Sequence, residues 1–271
     1  GVMGVASIAA GVELKHDVLV WRDLPAELSL THAWGLASAS GWNHSSWSIS
    51  AEFFAYLAFP AFAWVALLNK RRPLLGVAAA LAFLGLVYAV YEAATGASLT
   101  EATFYWGALR IVPCFAYGCA LYLLWRSGAA DGRIRPLAGT LVSLATLVLC
   151  ASFGAPDATV VAAGGALILF LAGLSSSGSR LGTHPVLVWL GEVSYAVYLV
   201  CIPWGLLVSG GGARLLHFSS DQMPLYAWSF MVIGLRSVAA LAHYLVERPA
   251  RSGLHKWGRS CTVRDLKSTP A

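Results

Sequence analysis

Charge is scarce in this chain. Only 11% of its 271 residues are Asp, Glu, Lys or Arg, where a soluble domain carries about a quarter. That shortage excludes a disordered chain and a coiled coil, and it argues against an ordinary water-soluble enzyme. Cysteine is limited to five residues with no CxxC pair. This excludes a disulfide framework and a thiolate metal site, and four of the five fall in apolar segments as small buried hydrophobes. No GxSxG elbow, P-loop, HExxH or GxGxxG occurs, so the common hydrolase, nucleotide, zinc-protease and dinucleotide signatures are all missing. No signal peptide is visible ahead of the first apolar block.

What the chain has is grease. Hydrophobic residues make up 58% of it, the mean hydropathy is +0.68, and the apolar residues come in long blocks. Stretches of about 20 apolar residues are long enough to cross a bilayer. Seven are expected, near 48–69, 73–92, 103–125, 136–153, 158–175, 186–209 and 225–247. The fold class is therefore all-α, a polytopic transmembrane helical bundle. The two spans on either side of Ala155-Pro156-Asp157 read as a tight hairpin. Residues 1–47 hold no span and read as an extracytoplasmic or incomplete N-terminal segment, 48–250 as the membrane domain and 251–271 as a basic cytoplasmic tail.

The net charge of +5 does not point to nucleic acid. Lys70, Arg71 and Arg72 follow the first span, Arg126, Arg133 and Arg135 the third, Arg180 the fifth, and a run from Arg248 to Lys267 the seventh. The loops between are poor in base. This alternation predicts those loops and the C-terminus on the cytoplasmic side of a plasma or inner membrane.

Ionisable groups inside a span are costly and are functional candidates by default. Glu52 and Arg110 are placed at a shared depth near the outer mouth, as either a structural ion pair or a site. Glu192 and His243 fall at a common inner depth. Arg236, nearer mid-membrane, faces a hydrated cavity or an unnamed acid.

Four stretches carry a family resemblance. Trp47-Ser48-Ile49-Ser50-Ala51-Glu52 through Tyr56-Leu57-Ala58-Phe59-Pro60 opens a helix with a capping serine and a carboxylate at its positive end. It resembles the W-S-L-S-x-E-x-x-x-Y-L-x-F-P signature of the acyltransferase 3 family of integral membrane acyltransferases. Leu109 to Gly118, Leu190 to Leu199 and Tyr244 to Pro249 are similar to that family's arginine-to-glycine helix, its L-G-x-x-S-Y-x-x-Y-L signature and its closing Y-x-x-x-E-R-P. They stand in the family's order.

The resemblance implies a core of about ten helices, of which about seven are visible, so the chain is expected to be N-terminally truncated. It implies transfer of an acyl group, usually acetyl, from acyl-CoA as co-substrate to a hydroxyl of a carbohydrate or glycoside, with no bound cofactor and no metal. Membrane lipid is the other expected partner. The catalytic residues it implies are Glu52 and Arg110. Trp47, Ser50, Tyr56, Ser194, Tyr195 and Tyr198 are the expected substrate-binding residues. The family's basic residue and catalytic histidine have no match. Arg22 and His32 come close in spacing, but the nine residues between them are no transmembrane helix, and the match is rejected. Cys201 stands where the family commonly has a further histidine. His16-Asp17 and His184-Pro185 lack the spacing of a soluble H-x4-D acyltransferase. The rival readings are a carrier or exporter of sugar-linked or small solutes, and a catalytically incomplete piece of the acyltransferase.

Overall fold

The computed structural model describes residues 20–37, 44–132, 134–178, 184–208 and 224–253. Trp42, Arg133, Arg180, Arg214, Asp221 and the tail bases from Lys256 onward lie outside them, as do residues 1–19. Helices and turns are the only regular structure among the described residues. A short helix α1, Leu24–Leu28, precedes seven long ones: α2 (Trp47–Leu68), α3 (Pro73–Thr95), α4 (Gly107–Arg126), α5 (Ile134–Phe153), α6 (Asp157–Ser176), α7 (Pro185–Leu206) and α8 (Leu225–Gly253). At about 1.5 Å per residue each reaches the roughly 30 Å of a hydrocarbon core. The seven expected spans are all present as helices.

Local chemistry sets the boundaries. Pro73 and Pro185 sit in the first turns of α3 and α7, where a missing N–H costs nothing. Gly96 closes α3 at φ 72°, its N–H donating to the Glu92 carbonyl, a conformation only glycine takes freely. One boundary departs from expectation. The third span starts at Gly107, not near 103. Ser98 caps a single turn over Leu99–Glu101. Phe104 then buries itself against the His32 ring, with centroids 5.5 Å apart, so the aromatic run turns aside before the helix begins. The last helix also runs past 247, through a π-helical turn at His243–Glu247.

The chain forms two compact units, divided at Thr183 and His184. In the first, α4 is the central helix and packs against α2, α3 and α6, while α5 and α6 form the expected hairpin. Tyr117, Ala120, Leu121 and Leu124 of α4 make a core with Ala80, Ala130 and Leu169. Helices approach closely where side chains are missing, as membrane packing favours. A Cβ on Gly165 would lie 2.2 Å from the Tyr117 ring, and one on Gly139 would lie 2.4 Å from Phe170. Outside these seams the helices present Leu, Val, Ile and Phe outward, a surface for lipid chains rather than water.

In the second unit α7 and α8 pack through Val193, Ala196 and Ala239. Gly234 admits Trp204, whose Nε1 donates to the Met231 carbonyl at 2.8 Å. The Trp189 Nε1 donates to the Tyr244 hydroxyl at 3.0 Å. Arg236 lies over the Trp189 ring at 5.9 Å and makes no ion pair with a described residue.

Candidate active site

The start of α2 gathers a cluster of polar groups. Residues 30–34 fold onto it, and Ser50 fixes them. Its Oγ donates to the Leu30 carbonyl at 2.7 Å and accepts from the Ala33 N–H at 3.0 Å. The Trp34 Nε1 donates to the Ser50 carbonyl at 2.9 Å, and its ring packs on Phe53 and Phe54. Leu30 is held at φ 57°, a strained value for a side chain with a Cβ. The two bonds to Ser50 hold the carbonyl of that residue and the N–H three residues on. The serine of the W-S-x-S stretch thus has its hydroxyl engaged with backbone.

His32 is fully buried under this turn. Its Nδ1 lies 3.5 Å from Glu27 Oε2, and its Nε2 lies 3.2 Å from Ser46 Oγ. Ser46 also donates to Glu27 at 3.2 Å. The Glu27 side chain is 9% exposed, and its Oε1 is buried with no hydrogen-bond partner among the described residues. Burial pushes the Glu27 carboxyl up and the His32 imidazole down, with hydrogen bonds opposing in both cases. Both groups move toward their neutral forms. The cluster is not legible from a family pattern that puts the histidine on a transmembrane helix, because His32 lies in a short turn outside the seven spans. The signal available was a Glu and a His facing an Ser-rich helix start.

Trp47 and Arg110 come together. The guanidinium lies over the indole at 5.2 Å from its centroid, a cation–π contact. Gly107 allows the approach, since a Cβ there would lie 3.0 Å from the Trp47 ring. Arg110 Nη1 also donates to the Thr100 carbonyl at 2.7 Å. The hydroxyls of Thr100 and Ser98 both bind the carboxylate of Asp157 at the start of α6. Arg110 therefore closes a chain running Trp47, Arg110, Thr100, Asp157 across α2, α4 and α6.

The expected Glu52–Arg110 ion pair does not form. The later start of α4 is the reason. Arg110 is three residues from the helix start, about 4.5 Å in, while Glu52 is five residues into α2, about 7.5 Å in. The arginine reaches outward to Thr100 instead. Glu52 is half-buried, and no hydrogen bond or ion pair joins it to another described residue.

The remaining expected residues belong to two different units. Tyr56 is 64% exposed on α2. Ser194, Tyr195 and Tyr198 are on α7 of the second unit and exposed. Ser194 Oγ donates to its own helix at the Gly191 carbonyl, and Cys201 Sγ to the Tyr198 carbonyl. Among the described residues no group of His, Cys, Asp and Glu is arranged to hold a metal.

Comparison with known proteins agrees with the motifs. A family model for an acyltransferase domain matches residues 4–243. The chain is 31% identical over 260 residues to Acyltransferase MdmB of Streptomyces mycarofaciens, covering 85% of this chain and 64% of that protein. The chain thus spans less than two thirds of the length of that relative. No solved structure matches it. With seven apolar helices, the motif order and the family match over most of its length, the chain belongs to the acyltransferase 3 family of integral membrane acyltransferases.

Proposed function

We propose that the protein moves an acyl group, acetyl in the first instance, from acyl-CoA to a hydroxyl of a carbohydrate or glycoside. The observation that carries this reading is Glu52, a carboxylate held half-buried near the mouth of an apolar helix with no described residue engaging it. A carboxylate at that depth costs several kcal/mol unless hydrated or bonded. An acceptor hydroxyl is a fitting donor to it. Glu52 accepts from and orients that hydroxyl, and Arg110, fixed by Trp47 and Thr100, keeps positive charge at the same end of the unit. Trp47 forms part of the wall, as sugars favour aromatic faces with their C–H groups. Ser50, with its hydroxyl engaged, positions this wall.

The base-rich loops set orientation in this reading. Lys70, Arg71 and Arg72 after α2, Arg126 at the end of α4, and Arg248 and Arg251 near the end of α8 face the cytoplasm. The Glu52 end of the first unit then faces outward, and the donor arrives from the basic side.

Membranes containing the protein, given acetyl-CoA labelled in the acetyl group and a panel of glycosides, test this directly. The expected result is an O-acetylated glycoside and free CoA in equal amounts. Movement of the glycoside across the membrane without acylation would favour the carrier.

A further inference from the structure

The second unit contains a cavity that none of the expected site residues of α7 lines. It measures about 220 Å³ and is lined by Glu192 of α7 and by His243, Tyr244, Arg248 and Arg251 of α8. The π-helical turn at His243–Glu247 builds it. Such turns are rare and concentrate at functional sites, and the wider turn brings side chains four and five apart into line. His243 is 5% exposed, and its Nδ1 bonds Glu247 Oε2 at 2.9 Å. Glu247 Oε1 in turn holds Arg251 Nη2 at 2.5 Å. The Glu247 carboxylate is thus taken up by two partners and fixes the walls of the cavity.

The groups left facing the space are mostly donors. Arg248 has no carboxylate within ion-pair distance among the described residues, and its guanidinium lies over the Tyr244 ring at 6.0 Å. Tyr244 accepts from the Trp189 Nε1, so its own O–H proton is left to donate. Arg251 uses one of its nitrogens on Glu247 and keeps the others. Among the described lining residues Glu192, exposed on the rim, opposes an anion, while the Glu247 carboxylate behind the wall is offset by Arg251. Two guanidiniums and a phenol around a small cavity match a phosphate monoester or diphosphate, which arginine recognises through paired N–H groups. Sites for whole drug-sized ligands run from about 300 Å³ upward, so this cavity takes a phosphoryl group rather than a complete nucleotide.

We infer that the cavity between Glu192 and the π-helical turn of α8 binds a phosphate of the acyl-CoA donor. The inference rests on the acyl-CoA reading above and adds the place where the donor is held. Anionic lipid headgroups offer the same phosphate chemistry, and the test separates the two sources.

Binding of labelled CoA is measured on the protein in nanodiscs of phosphatidylcholine, and again in discs containing phosphatidylglycerol. Arg248→Ala should weaken CoA binding by about tenfold, the worth of one charge-assisted contact. Glu192→Gln should tighten it or leave it unchanged. Arg71→Ala, which removes a base on the loop after α2, should alter it by less than about twofold. Because Arg248 and Glu192 are both exposed, neither substitution threatens the core. CoA binding that ignores Arg248→Ala, or that weakens in Glu192→Gln, overturns the inference while leaving the donor reading intact. CoA binding that disappears when phosphatidylglycerol is added, with phosphatidylglycerol retained by wild type and not by Arg248→Ala, assigns the cavity to lipid and also overturns it. No CoA binding by wild type in either disc defeats the donor reading itself.

Discussion

Ser50 shows how one hydroxyl organises the candidate site. It bridges the Leu30 carbonyl and the Ala33 N–H, adding to the backbone bonds from the Leu30 N–H to Glu27 and from the Thr31 N–H to Ala26 that also hold this segment. Ser50→Ala leaves a buried N–H without its acceptor, which costs about 1–3 kcal/mol. Amide exchange over residues 30–34 should quicken accordingly, with exchange in α5 and α6 unchanged. His32 adds a pH dependence. Burial lowers its pKa from the ordinary 6.5, so the unfolded segment binds a proton before the folded one does. Its stabilising contribution is complete above about pH 6.5 and is lost as the pH falls toward the folded value. Glu27 works in the opposite sense, since burial raises its carboxyl above 4.5. Its contribution is full at low pH and fades as the pH rises through the folded value. In Glu27→Gln, which removes the opposing carboxyl, protection of residues 26–34 should still fall on acidification below about pH 6.5. Protection independent of pH there would show that His32 is not held neutral. The residue scale is also where the sequence was least legible. Glu52 and Arg110 are legible from their cost in lipid, but the ion pair expected between them does not form. Whether two side chains meet depends on where α4 begins, and a non-helical turn at Phe104–Trp106 is invisible to a hydropathy window.

Helices were far easier to read than contacts. A span must satisfy its own backbone and bury itself in hydrocarbon, so length and composition nearly determine it. Pro73, Gly96 and Pro156 mark ends where their backbone chemistry requires one. What composition does not reveal is which faces meet. The hydrophobic pattern is nearly uniform around these helices, so the seams are written instead in small residues such as Gly139 and Gly165 against Phe170 and Tyr117. Gly165→Val tests this. Tyr117 cannot retreat easily, because its hydroxyl donates to the Ala162 carbonyl at 3.0 Å. The added side chain should destabilise the α4–α6 contact by about 1–3 kcal/mol, read as a lower melting temperature in detergent. Gly118→Ala, where a Cβ meets nothing within 4 Å, should leave it unchanged or raise it slightly. Similar losses from both would show that α4 does not pack as described. The π-helical turn of α8 was equally hidden, since nothing in Tyr244 to Pro249 distinguishes five residues per hydrogen bond from four.

For the molecule as a whole, family and membrane architecture were both legible, because four ordered motifs on seven greasy blocks leave few alternatives. The proposed acyl transfer rests on polar groups that an apolar chain keeps despite their cost: Glu52 and the Arg110 chain in one unit, and the arginine-lined cavity proposed for the donor in the other. The most direct test is Glu52→Gln, assayed for labelled acetyl transfer to a glycoside in membranes with matched protein levels. The amide has the size of the carboxylate and removes only its charge, and Glu52 bonds to no described residue, so the protein should remain folded with its melting temperature unchanged. Acetyl transfer should fall by at least about a hundredfold. Transfer within about twofold of wild type in that folded variant would contradict the assignment of the site.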